Sequence, residues 1–142
     1  MNDTILKSIT RIIVPFIQVY GVFIILHGHL SPGGGFSGGA LIGTSLILFT
    51  LVFGVKKAKV KFSERVAEIS GSAGIIIYVL VGIVGLVLAG SFLTNIEAGF
   101  PAGVAGTLMS AGMIPIIMIG IGIKVASTMI TLFHTLVEEE VR

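Results

Sequence analysis

The sequence has few charged residues and no cysteine, and each shortage excludes a class of protein. Lys, Arg, Asp and Glu make up 11% of the 142 residues, whereas soluble domains carry roughly 25%. Hydrophobic residues account for 54% of the chain, so a water-soluble globular domain is excluded. The lack of cysteine excludes disulfides and thiolate metal sites, and it indicates little about the cellular compartment.

Groups that could carry out catalysis are equally scarce. The sequence contains no dyad of nucleophile and base, or of two carboxylates, at a spacing typical of an active site. Many secondary transporters contain inverted repeats, and none is detectable here. We therefore predict a protein that is not an enzyme, with no cofactor, no bound metal and no nucleic-acid partner, and we favour a subunit of a larger membrane complex.

Long apolar runs are what the sequence does contain. Four of them, at approximately residues 9–29, 36–55, 67–90 and 112–136, are each close to the ~20 residues that a membrane-spanning helix needs. A cleaved signal peptide is disfavoured for the first run, because no small-residue cleavage site follows it. Pro15 is predicted near the start of this span, where its missing N–H matters little. The predicted fold is an all-α integral membrane protein, one domain over residues 1–142, with four transmembrane helices.

Basic residues are distributed unevenly between the predicted loops. Eight of the nine Lys and Arg lie at the two ends of the chain or in the 56–65 loop: Lys7, Arg11, Lys56, Lys57, Lys59, Lys61, Arg65 and Arg142. The two loops on the other side contain none. Because cytoplasmic loops carry an excess of Lys and Arg, we predict that both termini are cytoplasmic. The basic loop also suits contact with anionic membrane lipid.

A glycine-rich polar stretch, HGHLSPGGGFSGGALIG from His27 to Gly43, separates the first two apolar runs. Three consecutive glycines, beginning at Gly33, disfavour a continuous helix through this stretch. We predict a sharp turn, with Pro32 in the first turn of the second helix and Ser31 as its N-cap.

The glycines of this stretch also form a pattern. Gly35, Gly39 and Gly43 recur at every fourth position, which places them on one helical face and lets another backbone approach closely. Gly33, Gly35 and Gly38 spell the sequence GxGxxG. A dinucleotide fingerprint also requires a preceding strand and an acidic residue about 20 positions later, and neither is found. Close helix packing is therefore the favoured interpretation.

Four polar side chains are candidates for an ion pathway: His27, His29, Lys124 and Thr128. The two histidines lie at the predicted outer surface, where we expect hydrogen bonds to carbonyls of the turn. Proton exchange with the outside is the alternative, since His titrates near neutral pH, and the spacing of the pair is poor for a metal. Lys124 is predicted near the bilayer midplane, where a Lys costs roughly 2.5–3.5 kcal/mol.

Two interpretations of Lys124 stay open. It belongs to an ion or proton path, or it forms a static ion pair with a carboxylate of another subunit, because we place no acidic residue of this chain at its depth. Ser127, Thr128 and Thr131 follow at helical spacing and would line the same face. His134 is predicted near the end of the last span, where a helix C-terminus favours a cation.

The segment GHLSPGGGFSGG resembles the GHxxPGGGFxGG motif of the B subunit of the Mrp (Mnh) multisubunit cation/proton antiporters, and the likeness extends to chain length and number of spans. The resemblance implies a small subunit of a cell-membrane complex that exchanges Na⁺ for H⁺. Its partners would be the C-terminal part of the A subunit, the C subunit and the large antiporter-like subunits. The motif positions correspond to Pro32, Gly33, Gly34, Gly35, Phe36, Gly38 and Gly39. Lys124 corresponds to no motif of the family.

The sequence also resembles the B-type subunit of archaeal membrane-bound hydrogenases and sulfane sulfur reductases, which contain an Mrp-like module. There, redox chemistry on other subunits would drive the sodium gradient. The sequence fits both settings. A purely structural packing subunit without ion contact is a further alternative to a subunit that helps assemble and line the ion pathway.

Overall fold

The computed structural model describes residues 3–108 and 110–140, and over these residues the protein is helical with no strand. Its five helices are α1 (Asp3–Leu26), α2 (Gly34–Phe53), α3 (Val55–Lys61), α4 (Glu64–Ala89) and α5 (Ile114–Glu140). All but α3 are long and apolar enough to cross a membrane. The predicted all-α fold with four membrane-spanning helices is therefore confirmed.

Apolar side chains cover the outside of the four long helices. Phe16 on α1 is 72% exposed and Val87 on α4 is 75% exposed, and neither is an isolated case. Helices that are apolar on every side belong in a membrane or inside a larger assembly rather than in water. The exposed surface therefore indicates a multi-pass membrane protein.

The long helices pack in the order α1–α2–α5–α4, so the order in space differs from the order along the chain. One end of the bundle, the α3 end, carries α3 with the beginning of α4 and the end of α5. The opposite end, the turn end, carries the turn of residues 27–33 and the connection of residues 90–113. These two names locate the sites described below.

The beginning of α2 differs from the prediction. The helix starts at Gly34 with Gly33 as its N-cap, and no side chain caps it. The hydroxyl of Ser31 instead donates to the carbonyl of His27, 3.1 Å away, so Ser31 closes the turn after α1. Pro32 belongs to this turn rather than to the first turn of α2. The expectation of a Ser31 cap with Pro32 inside the helix was therefore wrong.

Two other local features were not anticipated. Pro15 lies well inside α1, because the helix already begins at Asp3, ahead of the predicted span. Membrane helices tolerate an interior Pro, since neighbouring groups satisfy the freed carbonyl. The basic loop is also partly ordered as the seven-residue helix α3, and the hydroxyl of Ser63 then accepts a hydrogen bond from Val66 N–H at the start of α4.

One amide side chain joins the two ends of the long connection between α4 and α5. Asn95 donates from Nδ2 to the carbonyl of Ala111 at 3.0 Å, and its Oδ1 accepts from Met113 N–H at 3.1 Å. The side chain therefore satisfies backbone groups just ahead of α5, where a helix start leaves donors free. This brace defines where α5 begins.

The orientation of the bundle can be tested with single cysteines, since the natural chain has none. Lys57 in α3 and Glu97 in the long connection are both exposed. By the positive-inside rule, we expect an impermeant maleimide added outside intact cells to label Glu97→Cys and not Lys57→Cys. Permeabilised cells should label both, which serves as the control. Labelling of Lys57→Cys alone in intact cells would show that the orientation is the reverse of the one predicted.

Candidate functional site

The glycines on one face of α2 lie directly against the backbone of α5. A Cβ atom built on Gly39 would lie 2.6 Å from the carbonyl oxygen of Gly122 and 2.9 Å from Cβ of Val125. A Cβ on Gly43 would lie 2.9 Å from Cβ of Met129, and one on Gly35 would strike the carbonyl of Met118. Real Cβ atoms do not fit at such distances, so this face requires glycine.

An adjacent face of α2 is in equally close contact with α1. A Cβ on Gly38 would lie 2.5 Å from the carbonyl oxygen of Gly21 and 2.9 Å from the backbone nitrogen of Ile25. Since Gly38 and Gly39 are adjacent, they face different neighbours, and α2 is held between two helices. The glycine-rich segment therefore sets the spacing of three helices.

The remaining residues of this segment form the turn and an outward-facing side chain. Gly33 and Gly34 have φ angles of +138° and +73°, values at which any residue with a Cβ is strained. Pro32 is exposed in the turn, and Phe36 is 66% exposed on α2. Phe36 therefore contributes little packing inside the chain and is available to a neighbour.

His27 and His29 both bind backbone carbonyls at the turn end. Nδ1 of His27 donates to the carbonyl of Phe23 at 3.0 Å. Nε2 of His29 donates to the carbonyl of Thr107 at 3.0 Å, which ties the turn to the long connection. Nδ1 of His29 is buried and has no hydrogen-bond partner in the described chain. Each imidazole thus has a clear structural contact.

Lys124 lies on the side of α5 that contacts α4. A Cβ on Gly74 would lie 3.1 Å from the backbone nitrogen of Lys124, and one on Gly71 would lie 3.6 Å from its ammonium. The side chain therefore runs from the level of Gly74 towards that of Gly71, in the direction of the α3 end. The two glycines of α4 leave it the room to do so.

Lys124 lines a groove of about 310 Å³ between α4 and α5. Five of the seven other lining residues are polar: Glu68, Ser127, Thr128, Thr131 and Thr135. Within residues 3–108 and 110–140, the ammonium of Lys124 takes part in no ion pair or hydrogen bond. The groove therefore holds a lysine whose ammonium has no ion-pair partner in the described chain.

Only two of the four candidate pathway residues meet in this groove. Thr128 lies one turn after Lys124, and its hydroxyl donates to the Lys124 carbonyl at 2.8 Å. His27 and His29 lie at the turn end, whereas Lys124 is ten residues inside α5, about 15 Å along a helix axis. The structure thus separates the histidines from the lysine.

Glu68 is the ionisable groove residue that sequence analysis missed. It precedes Gly71 by three positions on α4, and this spacing places both on one helical face. The periodicity Glu68, Gly71, Gly74 could have indicated a glutamate on the face that packs against α5. The expectation that this chain supplies no carboxylate near Lys124 was therefore incomplete, because Glu68 and Lys124 line the same groove.

A second polar cluster joins the helices at the α3 end. Lys59 forms ion pairs with Glu64, 2.6 Å away at the start of α4, and with Glu138 near the end of α5. Hydrogen bonds to Glu138 and Glu64 hold the pKa of Lys59 above its ordinary value. This lysine is therefore compensated within the chain, in contrast to Lys124.

His134, which the sequence predicted where a helix end favours a cation, is buried near that cluster. It is 3% exposed, and Thr50 on α2 is 2% exposed. Thr50 Oγ1 donates to the carbonyl of Leu46 at 2.8 Å, so Nε2 of His134 is the donor in its 3.4 Å contact with that oxygen. This bond ties α2 to α5 within a glycine-packed interface.

No group of three or more His, Asp or Glu in the described residues could hold a metal ion. What the structure does define is a multi-pass helical membrane protein with glycine-mediated packing and a polar groove on its outer surface. Residues 5–131 match the family described as "Domain related to MnhB subunit of Na+/H+ antiporter". The chain belongs to this family.

Individual relatives agree with that assignment. The B subunit of the Na(+)/H(+) antiporter of Bacillus subtilis is 30% identical over 139 residues, covering 98% of this chain and 96% of that protein. An uncharacterised protein of Methanocaldococcus jannaschii is 35% identical over 116 residues, covering 78% of this chain. A chain of the membrane-bound sulfane sulfur reductase, an archaeal respiratory membrane complex, matches with a TM-score of 0.77 and 34% identity over 93% of this chain.

The share of each relative's length that this chain covers differs between the relatives. It spans 43% of the Methanocaldococcus protein and 56% of the sulfane sulfur reductase chain, but nearly all of the Bacillus protein. The similarity thus extends to longer chains that contain this domain together with further sequence.

The glycine contact can be tested with Gly39→Leu. A leucine has to displace the Gly122 carbonyl, so we expect the free energy of unfolding to fall by at least the roughly 1–3 kcal/mol that is typical of overpacking. Thr44→Leu is the control, since Thr44 lies on the same helix away from these glycine contacts. The measurement is thermal unfolding of the detergent-purified chain. Equal unfolding temperatures for the two variants would contradict the packing described here.

A second prediction concerns the buried contact between Thr50 and His134. Thr50→Val keeps the side-chain shape but removes the acceptor for His134, and an unsatisfied buried donor costs about 1–3 kcal/mol. Thr44→Val is matched, because its hydroxyl also donates to a carbonyl of its own helix, that of Leu41. We expect Thr50→Val to lower the unfolding temperature more than Thr44→Val does. The opposite order would mean that the contact is not a stabilising one.

Proposed function

We propose that this chain is a non-catalytic cell-membrane subunit of a Na⁺/H⁺ antiporter module, and that it lines part of the ion pathway with the groove at Lys124. Membership of the MnhB family and the near full-length match to the B subunit of an antiporter support the first part. The partners would be the other subunits of the module, including the large antiporter-like ones. The uncompensated ammonium of Lys124 carries the second part.

The argument from Lys124 is energetic. A Lys near the centre of a membrane helix costs roughly 2.5–3.5 kcal/mol on insertion scales, and within the described chain Lys124 forms no ion pair or hydrogen bond through its ammonium. Lipid offers no compensation at this depth. The groove between α4 and α5 therefore faces water or a polar surface of another subunit in the assembled complex.

The chemistry of the groove suits proton or cation transfer. Glu68 and Lys124 are two groups that can each gain or lose a proton, and both line the groove. The hydroxyls of Thr128 and Thr135 donate to carbonyls of their own helix, which leaves their oxygen lone pairs as acceptors for water or a cation. The groove thus offers titratable groups together with acceptors between them.

The two histidines fit this pathway less well. Each imidazole is engaged with a backbone carbonyl of the turn end, and neither lines the Lys124 groove. We assign His27 and His29 a structural role in holding the turn, and we assign the pathway to Lys124 and Thr128 with the addition of Glu68.

A related setting is the same module inside a redox-driven complex. The similarity to a chain of the sulfane sulfur reductase supports this alternative. In that case other subunits would carry the redox chemistry, and this chain would keep the role proposed above. Genes for iron–sulfur or hydrogenase subunits next to the gene for this chain would indicate the redox complex; genes for antiporter subunits alone would indicate the antiporter.

Lys124→Met tests the pathway, because it keeps most of the length of the side chain and removes its charge. We expect the complex to assemble while Na⁺/H⁺ exchange in membrane vesicles falls on the order of tenfold. The reason is that the substitution removes the charged group that the proposal places in the ion pathway. Lys57→Met, which removes an exposed charge from α3, should leave exchange unchanged.

Other outcomes of this experiment are equally clear. If Lys124→Met weakens assembly with exchange lost only in proportion, the lysine is a static tie to a partner carboxylate left buried and unpaired. That result would support the purely structural alternative. If assembly and exchange both stay as in the natural chain, Lys124 has no part in the pathway.

A further inference from the structure

A second cavity, which shares only Ser127 with the Lys124 groove, is lined by residues of all four long helices. It has a volume of about 450 Å³ and is lined almost wholly by apolar side chains. Its lining extends along α5 from Ile119 to Ile130, a distance of about 16 Å at the rise of an α-helix. We refer to it as the apolar cleft.

The apolar cleft offers no free hydrogen-bond donor to an occupant. Its two hydroxyls belong to Ser70 and Ser127, and both donate to the carbonyl of Ala67, at 2.9 Å and 2.5 Å. A polar ligand would lose its hydration here without compensation. The occupant of the cleft is therefore apolar.

A smaller cavity of about 120 Å³ adjoins the cleft at the α3 end, and the two share Leu46 and Phe62 in their linings. It is lined by Arg11, Gln18 and Lys61 among apolar residues, and by no carboxylate. We refer to it as the cationic pocket. A positive pocket and an apolar cleft thus meet at the Phe62 side chain.

The two cations are held over aromatic rings of α2. The guanidinium of Arg11 lies 5.5 Å from the ring centre of Phe53, and the ammonium of Lys61 lies 5.0 Å from that of Phe49. Such contacts orient a cation but use none of its N–H donors. Neither side chain forms an ion pair in the described chain. The donors of both therefore remain free for an anion.

We propose that this surface binds one anionic phospholipid, with its phosphate in the cationic pocket and one acyl chain in the apolar cleft. A phosphate accepts charge-assisted hydrogen bonds from Arg and Lys together. An apolar helix of a partner protein would fill the cleft but leave the two cations without an anion. A phospholipid supplies both parts in one molecule, in the leaflet where anionic headgroups attract basic segments.

The binding experiment compares two double variants of the full chain in detergent. Arg11→Gln/Lys61→Gln changes the cationic pocket, whereas Lys56→Gln/Lys57→Gln removes the same charge from residues that line neither cavity. Native mass spectrometry with added phosphatidylglycerol should show one retained lipid on the natural chain. We expect the pocket variant to bind it at least tenfold more weakly and the control variant to bind as the natural chain does.

Equal losses in the two variants would overturn the proposal, because they would indicate unspecific attraction to the basic segment. Thermal unfolding of each variant shows that it is folded. Inorganic phosphate and dihexanoyl phosphatidylglycerol separate the headgroup from the acyl chain: both should bind at least tenfold more weakly than the long-chain lipid. Equal binding of inorganic phosphate would mean that the cleft takes no part, and this too would overturn the proposal.

A crosslinking experiment identifies the occupant in the assembled complex. Ile123 lines the apolar cleft, and its replacement by a photoreactive phenylalanine analogue puts a probe there. Irradiation of membranes should yield an adduct whose added mass is that of a phospholipid. An adduct with another protein of the complex as the main product would show that a protein fills the cleft, contrary to the proposal.

Discussion

The close approach of three helix backbones is the constraint on which the rest of the structure depends. A Cβ atom on Gly38 or Gly39 would fall within 2.6 Å of a carbonyl oxygen on α1 or α5. In a membrane, apolar side chains gain little by leaving lipid for another apolar surface, so packing at short range has to hold the helices together. Few large side chains are buried in the described part of this chain. Its glycine faces therefore take the place of a hydrophobic core.

This constraint also decides where the polar groove opens. Gly122 contacts α2, whereas Gly120 lies against Gly74 of α4, so α5 presents different glycines to its two neighbours. Lys124 follows Gly120 by four residues and shares its face. With α2 held between α1 and α5, α4 lies at the end of the row, and the lysine beneath it reaches the outer surface of the bundle instead of its middle.

Features set by local sequence could be predicted, and features set by contacts between distant segments could not. Apolar length defines the four spans, and the fourfold spacing of glycine indicates a packing face without any knowledge of its partner. The position of Glu68 beside Lys124 depends on the register between α4 and α5, which no local pattern encodes. The bond from His29 to Thr107 joins residues 78 positions apart. The failed Ser31 cap is a local exception, because α2 begins only at Gly34 and the Ser31 hydroxyl closes the preceding turn on the His27 carbonyl, four residues earlier.

The charges of the chain show which of its surfaces are complete. Lys59 is neutralised by two carboxylates of its own chain, and it closes the α3 end of the bundle. Lys124 has no such partner in the described residues, and Phe36 of the glycine-rich segment is 66% exposed. A cation at membrane depth persists only where something outside the helix compensates it. Because glycine contacts already hold the helices together, these incomplete groups are unnecessary for folding. They are best explained as contacts that neighbouring molecules complete, which is the situation of a subunit rather than of an independent transporter.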